Sequence, residues 1–183
     1  MAVLFAAYLS AAKLGIELSV ARGVITPVWA PTGIALAALV LFGLRLWPAV
    51  ALGAFVANVT SGAAPADAAF IALGNTLEAL VGGALLLRVG FRLAIDRVRD
   101  VFSLIVFGAL ISTAIAATNG VTTLWISGEI SGSDYGSRWL LWWIGDGMGA
   151  LIVAPLIFVF SACGRRWAPR SLFTLRMKSG SAG

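Results

Sequence analysis

Residues 139–163 read WLLWWIGDGMGALIVAPLIFVFSAC, and the only charged side chain in this run of 25 residues is Asp146. A helix that crosses the hydrocarbon core of a bilayer needs about 20 predominantly apolar residues. The stretch therefore predicts a transmembrane helix that holds one carboxyl group inside the membrane.

The composition of the whole chain agrees with this prediction. Of its 183 residues, 60% are hydrophobic and 11% are charged, and the mean hydropathy is +0.98. Soluble domains are about 45–50% apolar and about 25% charged. A soluble chain of this size must cover its surface with polar groups, so a water-soluble enzyme or nucleic-acid-binding domain is excluded. No apolar run alternates with the period of a strand, and the sequence predicts an all-α, polytopic transmembrane helical bundle.

About six spans can be placed along the chain. They cover residues 1–20, 28–44, 46–60, 67–87, 101–124 and 139–163. Spans two and three are short, and Arg45, Trp47 and Pro48 separate them, where a charge, an interfacial Trp and a helix-starting Pro coincide. Fusing them into one helix gives a five-span alternative. It is disfavoured because a central Arg costs about 2.5–3.5 kcal/mol and Pro48 would break the helix.

The basic residues lie mostly on one side of these spans. Ten of them share that side: Arg45, Arg88, Arg92, Arg97, Arg99, Arg165, Arg166, Arg170, Arg176 and Lys178. Only Arg22 and Arg138 fall on the other side. The positive-inside rule then places the N- and C-termini of this multi-pass protein in the cytoplasm. We expect residues 1–165 to be an integral membrane domain and residues 166–183 to be a short basic cytoplasmic tail.

The isoelectric point near 10.4 at first suggests nucleic-acid binding. The loop 88–100, however, has Asp96 and Asp100 among its arginines, and its only aromatic residue is Phe91. Such a segment favours anionic lipid headgroups by about 1 kcal/mol per basic residue. We therefore expect a topology anchor in contact with membrane lipid, and no nucleic-acid partner.

Polar residues inside the spans are the candidates for function. Span four contains Asn75 and Glu78, and Gly74 and Gly82 lie on the same helix face as Glu78. Glycines let a neighbouring helix approach, which places Glu78 in the bundle interior. This carboxyl group is suited to binding a cation or ligand, or to hydrogen bonding between helices, and the sequence leaves both roles open.

Asp146 in span six has a similar setting, with glycine on both sides and Trp142 and Trp143 before it. Aromatic rings beside a carboxylate can hold an organic cation, or a ligand with an apolar body. The alternative is an aromatic belt at the membrane surface, which suits Trp139 better than the other two. The spacing of Gly145 and Gly149 suits close helix packing, and predicts a homo-oligomer unless the monomer itself uses that face.

Span one contains the only basic residue that lies within a span, Lys13, with Glu17 one helical turn away. We expect these two to pair with each other near the membrane surface. The alternative is a pair that responds to a proton or a ligand. Glu78 and Asp146 then lack an evident cationic partner, and an unpaired ionised carboxylate in the membrane is costly. At least one of them should be protonated, or be held by Asn75, an indole N–H or a cationic ligand.

Several kinds of chemistry are excluded by the residues that the chain lacks. Histidine is absent and Cys163 is the only cysteine, so no disulfide forms within the chain. Zinc or haem sites built on His and Cys are excluded, as is a His-dependent hydrolase. There is no phosphate loop or nucleophile elbow. We expect no enzyme activity, no metal site and no cofactor.

Three ordered blocks of sequence resemble a known family, the first type of bacterial membrane-associated sensor domain (MASE). The blocks are VWAPTGIALAAL at 28–39 with LWP at 46–48 and LGAF at 52–55, GNTLEA at 74–79, and WWIGD at 142–146 with Gly149 and VAPL at 153–156. The family generally has about eight spans, two more than counted here. It usually has a double proline where this chain has Ala30-Pro31.

The resemblance implies a sensor domain in the plasma (inner) membrane of a bacterium. It would detect an unknown small molecule and pass a change in helix packing to a histidine kinase or cyclase output partner, as in two-component signal transduction. The candidate ligand-binding residues are Trp29, Asn75, Glu78, Trp142, Trp143 and Asp146. The alternative is a small-solute transport subunit, such as the six-span substrate-binding component of an importer, which the chain length, span count and small-residue helix faces also suit.

Overall fold

The computed structural model of the protein describes residues 1–22 and 28–167. Every regular element within these residues is helical. The six main helices are α1 (Ala2–Arg22), α2 (Ala30–Phe42), α3 (Trp47–Val59), α4 (Pro65–Arg88), α5 (Val98–Ile126) and α6 (Tyr135–Trp167). The predicted all-α helical bundle is confirmed. Of the predicted basic tail, residues 168–183 lie outside the described residues.

Three of the described helices are long and apolar enough to cross a membrane, namely α4, α5 and α6. The apolar helices α2 and α3 have 13 residues each. At 1.5 Å per residue each is about 20 Å long, which is shorter than a hydrocarbon core of about 30 Å. The described residues therefore form six main helices, and the number of crossings stays a prediction.

Proline begins three of these helices. Pro31, Pro48 and Pro65 lie in the first turns of α2, α3 and α4. The missing N–H of proline costs nothing there, because a first-turn N–H has no partner within the helix. The sequence break at Pro48 is thus the start of α3.

The helices α2 and α3 run in opposite directions, and each packs on α4 rather than on the other. Gly43 follows α2 with φ at +102°, in a region that glycine tolerates best, and a 3₁₀ turn at Leu44–Leu46 leads into α3. Trp29 at the start of α2 and Asn58 near the end of α3 line the same cleft. The chain thus reverses direction between them, and the single helix of the five-span alternative does not form.

The bundle is built around α4, which packs against α2, α3 and α5. Alanine and glycine fill most of these contacts, so helix backbones come close together. Two apolar clusters result. One joins α1, α2, α3 and α4 around Tyr8, Leu39 and Val50. The other joins α2, α4, α5 and α6 around Leu86 and Phe158.

The backbones at the start of α2 and in α6 come very close together at two glycines. A Cβ atom on Gly149 would overlap the carbonyl oxygen of Trp29, and one on Gly33 would overlap the carbonyl oxygen of Gly149. The backbone N–H of Trp29 donates to the carbonyl oxygen of Gly145 at 2.9 Å. The glycine face from which we predicted association is therefore occupied by α2 within the chain. A homo-oligomer remains a prediction, without support from this face.

The prediction that Lys13 pairs with Glu17 is wrong. Lys13 Nζ instead donates to Ser61 Oγ in the α3–α4 turn, at 3.3 Å. Within the described part of the chain the one ion pair is between Arg92 and Asp96, at 3.3 Å. Lys13 thus bonds to a residue of the α3–α4 turn and not to a residue of its own helix.

The α4–α5 loop is folded onto the bundle. The backbone N–H of Arg92 donates to Oδ1 of the buried Asp100 at 3.1 Å. Phe91 packs on Phe158 of α6 with ring centroids 5.3 Å apart, and Leu93 and Ile95 pack against the same cluster. This loop, predicted as a topology anchor, therefore also contacts the C-terminal half of α6.

Candidate functional site

Buried polar side chains from five helices lie close together inside the bundle. They are Tyr8, Thr32, Asn75, Glu78, Ser112 and Asp146, and none is more than 6% exposed. The glycines predicted to face the interior do so, since Gly74 lies against Asn119 and Gly82 against Ser112. These contacts bring α5 close to α4 and enclose the side chains between the helices.

A hydrogen bond joins α2 to α6 within this cluster. Thr32 Oγ1 donates to Asp146 Oδ1 at 3.2 Å. Asp146 Oδ2 and Glu78 Oε1 are buried and have no hydrogen-bond partner. Leaving such an atom unpaired costs about 1–3 kcal/mol, so each of these oxygens is an acceptor that is still open to a donor.

Asp146 lies at the floor of a cleft of about 290 Å³. The cleft is located at the end of the bundle where α3 and α5 end and α6 begins. Its walls consist of Asn58, Asn75, Arg138 and Asp146, of Trp29 and Trp142, and of the apolar Ile16, Ile71, Leu124 and Leu141. Asn75 also lines the gap behind the cleft, where Glu78 lies with Tyr8 and Thr32. That gap has no room even for a water molecule.

A family model, MASE1, matches residues 1–181 of the chain. The chain belongs to the MASE1 family. MASE1 domains are membrane-associated sensory domains found in signalling proteins, and the resemblance seen in the sequence is confirmed. Neither the curated proteins nor the solved structures include a significant match to this chain.

The three sequence blocks of this MASE1 domain meet at the polar cluster. The first block contributes Thr32, the second Asn75 and Glu78, and the third Asp146. They are up to 114 positions apart in the chain, as the hydrogen bond from Thr32 to Asp146 shows. The polar residues that interrupt the apolar spans are therefore neighbours in the folded domain.

Of the tryptophans predicted to bind ligand, the MASE1 fold brings two to the cleft. Trp29 and Trp142 line it. Trp142 lies so close to Gly120 of α5 that a Cβ atom there would come within 2.6 Å of its ring. Its orientation is thus fixed by a glycine on the neighbouring helix.

Trp143 lies outside the cleft, and the conformation of α5 explains its orientation. Residues Leu104–Ile111 of α5 form a π-helical segment, in which carbonyl groups lose their usual partners four residues on. The indole N–H of Trp143 donates to the carbonyl oxygen of Leu110 at 3.0 Å. Its ring stacks on Trp139 with centroids 5.5 Å apart. Trp143 therefore joins α6 to α5 and does not line the cleft.

The predicted ligand-binding residues did not include five polar residues of this MASE1 site, namely Tyr8, Thr32, Asn58, Ser112 and Arg138. Thr32 lies in the first block, but a single hydroxyl in an apolar helix carries no chemical signal of its own. Arg138 was interpreted only as a charge in a loop. The residues on either side of Tyr8 in the chain are both apolar. Knowledge of which spans are neighbours was needed to find them. Among the described residues no group of three or more Asp, Glu, Cys or His side chains is placed to hold a metal ion.

Proposed function

We propose that this MASE1 domain is a sensory input module that binds a small molecule in the cleft and acts through α6. The observation that carries the proposal is the position of Asp146. Its Oδ2 atom is buried at the cleft without a hydrogen-bond partner, and the residue belongs to the helix that extends farthest beyond the site, to Trp167. The group that would bind the ligand and the helix that would transmit the signal thus belong to one element, α6.

The α2–α6 contact is the part of the bundle that a ligand would change. Trp29 lines the cleft, and its backbone N–H donates to Gly145 on α6. Thr32 joins the same two helices through Asp146. A ligand that contacts Trp29 and Asp146 binds one α2–α6 arrangement better than another and so shifts the population between them. The C-terminal half of α6 transmits the shift to the α4–α5 loop through Phe158 and to a cytoplasmic output.

The partners that fit this role are a histidine kinase or cyclase output on the cytoplasmic side and anionic lipid headgroups at the α4–α5 loop. Nucleic acid is not among them, because Asp96 pairs with Arg92 there and Leu93 and Ile95 are packed onto the bundle. A sensory role also needs no catalytic group, and we propose none.

We propose the plasma membrane of a bacterium as the location, with both termini in the cytoplasm. The chain reverses direction between α2 and α3, so these two helices add either two crossings or none. With α1, α4, α5 and α6 each crossing once, the number of crossings is even in both cases, and the termini lie on one side. Arg45 and the arginines of the α4–α5 loop then lie in the cytoplasm.

Cysteine labelling in intact cells tests this orientation. In a Cys163→Ala background, we expect Glu129→Cys in the α5–α6 turn to react with a membrane-impermeant maleimide added outside. Arg97→Cys should react only after the cells are permeabilised. The opposite pattern would contradict the orientation.

A variant that fills the cleft tests the sensory function itself. The full chain is fused to a cyclase reporter, and the output is recorded in cells given a panel of small metabolites. Leu124→Trp should abolish the response, because Leu124 lines the cleft and the larger ring occupies its volume. Ile126→Trp is the matched control, since Ile126 is 76% exposed on the same helix.

Three outcomes decide the test. A response that Leu124→Trp removes and Ile126→Trp retains supports the proposal. An equal response in both variants contradicts it. Uptake of a solute that Leu124→Trp blocks, with no reporter response, would instead favour a transport subunit.

A further inference from the structure

We infer that the cleft is built for a small zwitterion, which enters with its cationic group first and keeps its carboxylate at the mouth. The inference rests on the proposed sensory function and names the class of ligand for that same cleft. It follows from the different chemistry of the floor, the walls and the mouth.

The floor of the cleft holds a carboxyl group and two side-chain amides. Asp146 is 1% exposed and its Oδ2 atom has no partner. One side-chain N–H of Asn58 donates to the carbonyl oxygen of Ala54 at 2.8 Å, which leaves the amide oxygen and the second N–H of Asn58 for a ligand. Asn75 adds a further amide beside Asp146. The complement of an unpartnered carboxyl oxygen that lies between two amide groups is a donor group, and an ammonium or a guanidinium adds the opposite charge.

The walls suit a short body attached to that cation. Trp29 and Trp142 line the cleft together with apolar side chains. Indole faces attract a cation within about 6 Å of the ring and also pack against methylene groups. The volume of about 290 Å³ lies at the small end of the roughly 300–1,000 Å³ that is usual for ligand pockets, so the ligand is small.

The mouth has the opposite charge. Arg138 is exposed and lines the same cleft. It precedes Asp146 by eight positions on α6, which is about 12 Å along the helix axis. Among the described residues, these two are the only charged ones that line the cleft, and they do not form an ion pair with each other.

The separation of the two charges selects a zwitterion over simpler ions. A plain anion would meet Asp146 at the floor, and unpaired burial of like charges is costly. A plain cation would satisfy the floor and would have to pass Arg138 without pairing with it. A ligand with one charge of each sign, joined by a short chain, pairs with both residues.

Binding to the purified full chain in nanodiscs tests the inference without any output domain. The probes are three ω-amino acids, namely 4-aminobutyrate, 6-aminohexanoate and 8-aminooctanoate. The best of them is then compared with its primary amide, which lacks the carboxylate, and its N-acetyl derivative, which lacks the cation. Calorimetry gives the affinities, with empty nanodiscs as the blank.

We expect at least one ω-amino acid to bind, its amide to bind about two- to fivefold more weakly, and its N-acetyl derivative not to bind measurably. The order follows because an exposed charge such as Arg138 contributes about 0.2–1 kcal/mol, whereas a buried charge pair contributes more. Failure of all three ω-amino acids would overturn the inference, as would equal binding by the N-acetyl derivative.

Two variants assign the ends of the ligand. Asp146→Asn should weaken binding of both the ω-amino acid and its amide by at least about tenfold. Arg138→Gln should weaken only the ω-amino acid and leave its amide unchanged. Asp134→Asn and Arg45→Gln, which do not line the cleft, are the matched controls. If Arg138→Gln affected both probes equally, the assigned orientation would be wrong.

The binding assay and the reporter assay fail separately. A reporter that responds to another class of molecule, with no zwitterion bound to the purified protein, would retain the sensory function and overturn the ligand class. Zwitterion binding without any reporter response would support the ligand class and contradict the sensory function.

Discussion

Gly149→Ala is expected to destabilise the domain strongly, by about 1–3 kcal/mol or more. In an ordinary helix interior the same change stabilises by about 1 kcal/mol, so the expected sign is reversed here. The reason is that a Cβ atom at position 149 overlaps the carbonyl oxygen of Trp29. That carbonyl cannot move away easily, because the N–H of the same residue is bonded to Gly145.

The control for this prediction is in the same helix. A Cβ atom on Gly136 meets nothing within 4 Å, so Gly136→Ala should leave the melting temperature unchanged or raise it slightly. Melting of the detergent-solubilised protein measures both variants. Equal melting temperatures for Gly149→Ala and Gly136→Ala would mean that the α2–α6 backbone contact does not form.

A second glycine tests the same contact from α2. Gly33→Ala should also lower the melting temperature, since its Cβ atom would overlap the carbonyl oxygen of Gly149. Once either substitution has moved α2 and α6 apart, the other substitution disrupts fewer contacts between them. The double variant should therefore be less destabilised than the sum of the two single variants.

The helices themselves were predictable from the sequence because length and hydropathy are local properties. The runs that became α4, α5 and α6 are each long and apolar enough to cross a membrane. Proline at position 48 marked the break between α2 and α3 for a local reason as well, since it cannot sit inside a helix without cost.

The contacts between helices were only partly predictable. Gly74 and Gly82 indicated that Glu78 faces the interior, because a small-residue face must pack against something. The sequence did not show that Gly149 would pack on Trp29, since that pairing depends on which spans are neighbours. Lys13 shows the same limit, as a turn 48 positions away replaced the expected partner one helical turn away.

The orientation of the tryptophans depended on a feature that composition does not show. Trp142 and Trp143 are adjacent, and helical geometry alone permits either to face the cleft. The π-helical segment at Leu104–Ile111 exposes the carbonyl oxygen of Leu110 to the indole of Trp143. An apolar run in the sequence does not distinguish this winding from an ordinary α-helix.

Asp146→Asn and Glu78→Gln are expected to abolish the response of the reporter fusion while the protein still inserts and melts near the wild-type temperature. Both changes preserve the shape of the side chain and remove only its acidity. In Asp146→Asn the Oδ1 atom still accepts from Thr32, so the α2–α6 hydrogen bond remains. The unpartnered Oδ2 becomes an amide N–H₂ group, which repels the donor that an acidic floor would bind.

Glu78→Gln tests the second carboxyl group, which the cleft does not reach. Glu78 lies in the closed gap beside Thr32, so it acts on the ligand only through the groups that it shares with Asp146. A lost response in this variant would therefore mean that the two carboxyls work as one unit. Glu129→Gln and Asp134→Asn make the same chemical changes in the exposed α5–α6 turn and should respond as the wild type does.

The outcome of this pair separates a functional site from a packing contact. If both variants responded normally, neither carboxyl would have a role in sensing, and their burial would reflect only hydrogen bonding between helices. If both failed to fold, the acidity itself would be structural, because the isosteric amides preserve volume and most hydrogen bonds. A lost response with normal melting fits neither case. If the packing survives both substitutions while the signal is lost, packing cannot be the reason for the loss.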